Sequence, residues 1–364
     1  MRIEKLHLQN FRNIASAQLD TNRQFIVFSG NNGEGKTNVL ESVFMLASLR
    51  SFREPNTPNV ISAGESIAHI DAHIRSENGF RKLHWAYEAK RGRLLEVDGV
   101  PVTKVLDWFK PIRAILFHPG DIDIVRGGPK ERRRFLDRAR FTSVPAYLTV
   151  VQQYNRILNQ KKALLKQQAC DSAQVKIWNE GLIEYGVKMA IQRQLILQQL
   201  QDPFQHLHSV LTGQKEQVTL KLSGIAGHPV DEIRGVLTDA LAGAVEREIL
   251  QKKSLVGPHF DDMNIAMDGF LAKKYASQGQ ARSISIALKL AELMSAKARG
   301  EHPLLLLDDL SSELDRNRTQ KLVQILSESD SQIWITTTEP SHLGPIPASN
   351  LRRFVADRGQ IKEA

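Results

Sequence analysis

The order of apolar and polar residues predicts strands in the first third of the chain. Residues 25–28 form an apolar run typical of a buried strand, and residues 36–49 repeat apolar positions at the spacing of a helix. Strict alternation over residues 68–74 and again over residues 83–87 predicts two half-buried antiparallel strands. The turn-forming pairs that would join this meander are Asn78-Gly79 and Asp98-Gly99.

The middle of the chain has the spacing of helices. A short helix over residues 104–109 and a buried strand over residues 112–117 precede two long helical segments, residues 147–168 and 172–201. Pro203 is expected to end the second segment, because proline lacks the amide hydrogen that a helix interior needs. Beyond it the pattern predicts an alternating strand, a helix and an apolar strand, at residues 218–222, 231–250 and 304–307.

A glycine-rich loop connects the first apolar strand to the first helix. Residues 30–37 read Gly-Asn-Asn-Gly-Glu-Gly-Lys-Thr, the complete pattern of a phosphate loop between the strand and the helix that it requires. Glycines let backbone N–H groups turn toward phosphates, and the helix N-terminus adds partial positive charge. A nucleoside triphosphate is therefore the predicted ligand, with Lys36 on its outer phosphates. The predicted contacts in this segment are Gly30, Asn31, Asn32, Gly33, Glu34, Gly35, Lys36, Thr37 and Asn38.

The apolar run at residues 304–307 delivers two carboxylates at its end. Asp308 is expected to bind Mg²⁺ together with Thr37, and Asp309 to orient or deprotonate the attacking water. Taken alone, such a segment is more often a strand running into a turn. Its pairing with a phosphate loop favours a catalytic site.

Residues 277–280 read Ser-Gln-Gly-Gln at the start of a long amphipathic helix. Serine and glycine at this place also suit an ordinary helix N-cap. Upstream of residues 304–309, however, the pattern resembles the signature motif of the ATP-binding cassette superfamily. The resemblance implies that Ser277, Gly279 and Gln280 bind a nucleotide held by a second subunit, so that two chains enclose two ATP molecules.

Further segments narrow the resemblance to cassette ATPases that act on DNA. Residues 6–12 look like the opening strand of the SMC group, which makes Arg12 another expected nucleotide contact. In order and length the whole set is similar to the RecF family of bacterial recombination mediators, over residues 2–357. The other segments that carry this similarity are Phe117-His118-Pro119-Gly120-Asp121, residues 127–137, Gly257-Pro258-His259 with Asp261-Asp262, and residues 307–315.

This resemblance implies a fold, an activity and partners. The fold would be an α/β cassette-type ATPase head, with a mixed sheet and the antiparallel meander flanked by helices, plus a mainly helical second lobe without a long coiled coil. The expected bounds are 1–130 and 253–364 for the head and 131–252 for the helical lobe. ATP with Mg²⁺ would close a dimer on DNA at gaps or junctions, and slow hydrolysis would release it. The implied partners are RecR, with RecO and RecA, in recombinational repair and SOS induction.

Some positions depart from the patterns of this family or of its relatives. Phe260 stands where an arginine is expected, which removes a cation from that motif. Asp309 replaces the glutamate of cassette transporters and is one methylene shorter, which favours slow hydrolysis. Thr338 follows the last apolar strand, where transporters place a switch histidine, and is the candidate catalytic hydroxyl. For a switch glutamine the candidates are Gln152 and Gln153.

The net positive charge of the chain indicates a polyanionic partner. Lys and Arg number 49 against 40 Asp and Glu, a formal charge of +9, and residues 126–140 are the most basic run. Such a run can contact phosphates but has no base-reading pattern, and no aromatic platform accompanies it, which favours duplex over splayed single strands. A solvated or structural face is the alternative. The predicted DNA contacts are Arg132, Arg133, Arg134, Lys161 and Lys162.

Other features restrict the class of protein. A length of 364 residues favours two lobes. The single cysteine, Cys170, fits a reducing bacterial cytoplasm. The start of the sequence does not have the pattern of a secretion signal, and the sequence has no long apolar run, which fits the same location. The histidines at 69, 73 and 84 fit exposed positions better than a zinc site. Helices of 22 to 30 residues are only ~33 to 45 Å long, too short for an SMC arm. The alternatives left are a short SMC-like chromosome protein, a transporter ATPase subunit and a metabolic kinase.

Overall fold

The computed structural model describes residues 1–54, 57–77, 79–168, 170–213 and 216–364, so the predicted turn at Asn78 lies outside the described residues. The strands in these ranges are β1 (Arg2–Phe11), β2 (Ile14–Asp20), β3 (Phe25–Ser29), β4 (Ile67–Ser76), β5 (Gly79–Glu88), β6 (Gly92–Val97), β7 (Val100–Pro101), β8 (Ala114–Phe117), β9 (Val218–Ser223), β10 (Asp262–Met267), β11 (Phe270–Leu271), β12 (Leu304–Leu307), β13 (Ile333–Thr337), β14 (Leu351–Asp357) and β15 (Gln360–Glu363). The helices are α1 (Lys36–Ser48), α2 (Val105–Trp108), α3 (Asp123–Arg126), α4 (Pro129–Ser143), α5 (Tyr147–Leu165), α6 (Ser172–Thr212), α7 (Ile233–Gln251), α8 (Ala272–Tyr275), α9 (Gln278–Ala298), α10 (Leu310–Glu313) and α11 (Arg316–Ser327).

One compact unit, the head unit, consists of Met1–Asp121, Val210–Gln214 and Ile286–Ala364. It contains an antiparallel six-stranded sheet in the order β2-β1-β4-β5-β6-β7. Apolar side chains of β4 are buried while His69 and His73 are half-exposed on the other face, which confirms the predicted meander and its alternation.

The second sheet of the head unit has the order β15-β14-β3-β13-β12-β8. All of its neighbouring pairs are parallel except β14 and β15. The residues of β8, β12 and β13 are entirely buried, as continuous apolar runs in a covered parallel sheet should be. Because the strands are parallel, the ends of β3, β12 and β13 meet at one edge, where open α/β sheets bind their ligands.

The other compact unit, the helical unit, consists of Ile122–Ser209 and Lys215–Ser285. It holds α3, α4, α5, α7 and α8, most of α6 and the start of α9, with a small antiparallel sheet in the order β11-β10-β9. The predicted bounds stay a prediction, but this unit extends beyond residue 252. The reason is that β10 pairs with β9 along its whole length, which ties residues 262–267 to 218–223.

The prediction that Pro203 ends its helix was wrong, because α6 continues through it to Thr212. Proline in a helix interior costs about 3 kcal/mol. Three apolar side chains beyond it, Phe204, Leu207 and Leu211, are at most 2% exposed. At about 1.5 to 3 kcal/mol for each buried side chain, their burial offsets that cost.

Among the described residues, none of the helices combines the length and the apolar character needed to cross a bilayer.

Candidate functional site

The phosphate loop lies between β3 and α1, as predicted. Gly30 has φ 139° and Gly35 has φ 113°, both in the region that favours glycine. A Cβ atom on Gly30 would lie 2.3 Å from the backbone oxygen of Ala356, so no other residue fits there. The loop is therefore shaped by backbone requirements that glycine alone meets.

Lys36 is held across the mouth of this loop. Its ammonium donates to the carbonyl oxygens of Gly30 and Asn31, each at 2.7 Å, and the residue is buried. Burial lowers the pKa of Lys36, although the nearby carboxylates Asp309 and Asp308 act in the opposite direction. A cation in this position is suited to anionic oxygen atoms at the loop.

Asp308 joins the second carboxylate segment to the phosphate loop. Its Oδ1 accepts hydrogen bonds from the hydroxyl groups of Thr37, at 2.8 Å, and Thr336, at 2.7 Å. Burial raises the pKa of Asp308, while these two hydrogen bonds act to lower it. The hydroxyl of Thr37 and the carboxylate of Asp308 are thus adjacent, which is the donor pair expected for Mg²⁺ beside a triphosphate.

The described residue ranges contain no group of three or more His, Cys, Asp or Glu side chains that could hold a metal ion. Mg²⁺ commonly takes one or two carboxylates and completes its octahedral coordination with water and substrate phosphates. The sparse pair at Thr37 and Asp308 therefore fits Mg²⁺ better than a cation that needs a cage of side chains.

Asp309 follows directly and has a strained backbone, with φ 51° and ψ 47°. Its N–H donates to the hydroxyl of Thr336 at 2.7 Å. Its Oδ1 is buried and has no hydrogen-bond partner among the described residues. A buried acceptor without a partner is costly, so this oxygen suits a ligand or a water molecule.

Other predicted nucleotide contacts surround the loop. Asn31, Asn32 and Gly33 are exposed, and Asn38 donates to the side-chain oxygen of Asn13 at 2.7 Å. Glu34 accepts the N–H of Gly359 on its carbonyl oxygen at 3.0 Å. The predicted roles of these residues stay predictions.

Arg12 and Thr338 have partners of their own. Both side-chain oxygens of the buried Glu41 accept hydrogen bonds from Arg12, at 3.0 and 2.6 Å. Thr338 is exposed and its hydroxyl lies 3.1 Å from that of Ser311. The hydroxyl that contacts the carboxylate pair belongs to Thr336, and the catalytic role predicted for Thr338 stays a prediction.

The signature segment lies in the helical unit at the start of α9. Ser277 Oγ accepts the N–H of Gln280 at 3.2 Å, and Gln280 Oε1 accepts the N–H of Ser277 at 2.8 Å, a reciprocal capping box. Gln280 also donates to Glu216 at 3.0 Å. Ser277 and Gly279 are exposed, so the capped helix end presents them to solvent.

The arginines of α4 range from buried to exposed. Pro129 begins the helix and Phe135 is buried. Arg132 is 5% exposed and donates to both oxygens of Asp262, at 2.7 and 2.9 Å. The prediction that Arg132 contacts DNA was therefore wrong, because a buried guanidinium paired with a carboxylate cannot reach a phosphate.

The neighbouring arginines differ from Arg132 in exposure. Arg133 is half-buried and donates to the carbonyl oxygen of Asp261 at 2.7 Å. Arg134 is exposed and pairs with Glu131 at 2.9 Å. Their predicted DNA contacts stay predictions.

Lys161 and Lys162 are adjacent on α5 but differ in exposure. Lys161 is 0% exposed and lies 2.7 Å from the buried carboxylate of Glu248, and it donates to Asn179 at 2.6 Å. The prediction that Lys161 contacts DNA was wrong, since its ammonium is sealed inside the unit. Lys162 is exposed.

The Gly-Pro-His-Phe-Asp-Asp segment has its cationic partners despite Phe260. Asp261 pairs with the buried Arg193 at 3.1 Å, and Asp262 pairs with Arg132. Phe260 is 55% exposed. Ion pairs therefore link this segment to Arg132 and Asp137 of the basic run, the latter through Arg193.

The sequence did not predict where three residues lie, although His118 was named as part of a family segment. Thr336 contacts both members of the carboxylate pair, and Arg193 joins Asp137 to Asp261. His118 follows β8, whose Phe117 pairs with Leu307 directly before the carboxylates. The order of strands in the sheet would place His118 beside the carboxylate pair, and a sequence alone does not give that order.

The chain is similar to known proteins over its whole length. A family model described as RecF/RecN/SMC N terminal domain matches residues 2–93. The DNA replication and repair protein RecF of Geobacter sp. (strain M21) is 34% identical over 99% of this chain and 100% of that protein. The RecF protein of Geobacter metallireducens is 36% identical over 99% of each.

Solved structures agree with these relatives. The recombination mediator protein RecF with ATP, described for the RecFOR pathway, superposes with a TM-score of 0.90 at 27% identity, covering 100% of this chain and 97% of that chain. An Smc head bound to the C-winged helix domain of ScpA has a TM-score of 0.62 at 15% identity, which shows the fold alone. The predicted fold class, a cassette-type head with a mainly helical second part, is confirmed. On this similarity the chain belongs to the RecF family of DNA replication and repair proteins.

Proposed function

We propose that this chain is an ATP-dependent DNA-binding clamp of recombinational repair. ATP with Mg²⁺ brings two copies together around DNA at gaps or junctions, and slow hydrolysis releases them. With RecR and RecO, the clamp supports loading of RecA and so the SOS response. Two solved relatives, described as RecF-ATP and RecF-ATPrS in the RecFOR pathway, support the nucleotide and the pathway of this assignment.

One observation carries the nucleotide part of the proposal. The 2.8 Å hydrogen bond from Thr37 to Asp308 brings the phosphate loop and the second carboxylate segment, separated by 271 positions in sequence, to one point. Lys36 holds the outer phosphates, while Thr37 and Asp308 hold Mg²⁺. When bound, Mg²⁺ neutralises charge on the phosphate oxygens during transfer to water. Asp309, whose buried Oδ1 has no hydrogen-bond partner in the part of the chain that the structure describes, orients the attacking water.

The shared nucleotide is supported by the signature segment. Ser277 and Gly279 are exposed at the end of a capped helix, where backbone N–H groups and the helix dipole favour an anion. In the proposed dimer they face the triphosphate held by the other copy. Since each nucleotide then touches both copies, ATP affinity and dimerisation are reciprocally coupled.

The proposed DNA surface leaves out the buried Arg132 and Lys161 and adds the outer face of α5 with the residue that follows it. Arg156, Lys162 and Lys166 are all exposed there. The sequence has no Asp or Glu between Asp137 and Asp171, so this face has no acidic side chain of its own. Exposed cations in a stretch of sequence without acids suit the phosphates of a duplex backbone, which provide affinity without sequence specificity.

Replacing Asp309 by Asn tests the proposed catalytic role. The variant should bind ATP with nearly unchanged affinity, and its turnover should fall about 10²- to 10⁴-fold, the usual contribution of a general base. Sedimentation should show that the dimer persists after ATP is added, because release needs hydrolysis. Lys36→Ala is the control that should lose nucleotide binding itself. Turnover by Asp309→Asn at the rate of the unmodified protein would exclude this carboxylate.

A further inference from the structure

Thr336 lies on β13 with its side chain entirely buried. Its hydroxyl oxygen is 2.7 Å from Asp308 Oδ1 and also 2.7 Å from the backbone nitrogen of Asp309. One small side chain therefore contacts two consecutive residues of the carboxylate pair. Neither contact is local in sequence, since Thr336 is 27 and 28 positions away from them.

The direction of both hydrogen bonds follows from their chemistry. A backbone N–H can only donate, so the hydroxyl oxygen of Thr336 must accept from Asp309. The hydroxyl has a single hydrogen, which remains for the carboxylate of Asp308. The polarity of the pair is thus fixed, and no other standard aliphatic side chain of this shape offers both an acceptor and a donor.

The two contacts have different consequences. The bond to Asp308 holds Oδ1 beside the hydroxyl of Thr37, which is 2.8 Å from the same oxygen. The bond from Asp309 supports a non-glycine residue at φ 51°, a conformation that survives only where the surroundings enforce it. Loss of the hydroxyl would remove one of the two hydrogen bonds that hold Asp308 Oδ1 and, at the same time, the acceptor of the Asp309 N–H.

We infer that Thr336 is a positioning residue of the nucleotide site: its single hydroxyl group sets the side chain of Asp308 and the backbone of Asp309 at the same time. This inference rests on the proposed function, in which Asp308 holds Mg²⁺ and Asp309 orients water. Thr336 itself touches neither the nucleotide nor the water in this assignment. Its effect passes through the two aspartates.

The test compares variants that keep or remove the hydroxyl. Thr336→Val keeps the shape and loses both hydrogen bonds, whereas Thr336→Ser keeps the hydroxyl and loses a methyl group. Thr336→Cys is similar in size to Thr336→Ser, but a thiol is only a weak hydrogen-bond donor and acceptor. Comparing these two variants therefore separates hydrogen bonding from side-chain size. The matched control is Thr337→Val, a neighbouring buried threonine whose hydroxyl oxygen accepts the N–H of Glu339 at 3.0 Å, away from both aspartates.

The measurement is the factor by which Mg²⁺ tightens binding of a non-hydrolysable ATP analogue, obtained by calorimetry with Mg²⁺ and with EDTA. Thr336→Val and Thr336→Cys should reduce this factor about 10- to 100-fold, the usual cost of losing a group that orients a metal ligand. Thr336→Ser and Thr337→Val should retain it. ATP turnover should follow the same order.

Two results would contradict the role of Thr336 without contradicting the proposed function. An unchanged Mg²⁺ factor in Thr336→Val, or equal losses in the Ser and Cys variants, would overturn the role of Thr336 alone. If the unmodified protein bound the analogue without any influence of Mg²⁺, the proposed nucleotide site would be overturned together with it.

Discussion

The inner face of α4 and the outer face of α5 are both basic in sequence, and they differ in what surrounds each cation. On α4, Arg132 is buried against Asp262, whereas Lys162 of α5 and Lys166 just after it are exposed and lie in a stretch, residues 138–170, that contains no Asp or Glu. A buried cation must have a partner to offset its lost hydration, while an exposed one is free to bind a mobile anion. Local charge density therefore says less about DNA contact than the side of the helix on which each cation lies.

Lys161 and Lys162 are adjacent on one helix, so replacing each of them separates the effect of burial from that of sequence position. Lys161→Met should lower the free energy of unfolding by about 3 to 5 kcal/mol, since Glu248 would be left buried without its counter-charge. Lys162→Met should change it by less than about 0.5 kcal/mol, as expected for an exposed site. Urea unfolding followed by circular dichroism measures both.

The double variant Lys161→Met/Glu248→Gln serves as a control for the cause. It should recover part of the lost stability, because no charge is then left uncompensated inside the unit. Equal losses in the Lys161 and Lys162 variants would show that burial does not separate the two cations.

A second prediction concerns His259 of the helical unit. Its Nδ1 lies 2.6 Å from the hydroxyl of Tyr154, and burial with nearby cations lowers the pKa of His259 from 6.5 to about 3. The folded protein therefore binds this proton less readily than the unfolded chain does. The contribution of His259 to stability is complete at a pH above its pKa in the unfolded chain, 6.5. It is lost as the pH falls from there toward its pKa in the folded protein, about 3.

Protonation of His259 should consequently lower the free energy of unfolding by up to about 2 kcal/mol between about pH 7 and about pH 5. His259→Asn, which keeps an acceptor for Tyr154 but does not titrate, should show a flatter pH dependence in the same range. The difference between the two unfolding curves isolates the histidine. Parallel curves would mean that His259 is not kept neutral in the fold.

The smallest predicted effect tests the exposed side. Replacing Arg156, Lys162 and Lys166 together by Gln should lower the slope of log affinity against log salt by about 0.9 for each lost phosphate contact, or about 2.7 in all. Fluorescence anisotropy with labelled duplex at several salt concentrations measures this slope. Lys188→Gln is the matched control, because Lys188 is exposed but already paired with Glu184 at 2.8 Å. A slope unchanged by the triple variant would place DNA elsewhere.

Much of the fold could be predicted from the sequence because its patterns are local. The phosphate loop, the apolar run before Asp308 and the alternation of β4 and β5 each follow from neighbouring residues, and the structure confirms them. Pro203 was read by the same local rule and misled, because burial of side chains beyond it decides whether α6 continues.

The internal ion pairs were harder to predict, although part of the signal was present. Lys161 falls on the same helical stripe as the buried Tyr154, Leu158 and Leu165, at spacings of four, three and four residues. A cation on such a stripe must face inward. Its partner, Glu248, lies 87 positions further along the chain, and no local pattern connects the two.

The site shows the same limit. The pairing of Thr37 with Asp308 was expected from two motifs, but Thr336 comes from a strand whose neighbours only the sheet order reveals. Side chains that support a motif lie where the fold brings them, without any sequence signature of their own.

The most direct test of the account is sedimentation of the purified protein with duplex DNA, first without nucleotide and then with a non-hydrolysable ATP analogue and Mg²⁺. The account predicts a monomer that becomes a DNA-bound dimer only when the analogue is present. A chain that stays monomeric and unbound when saturated with the analogue would contradict it.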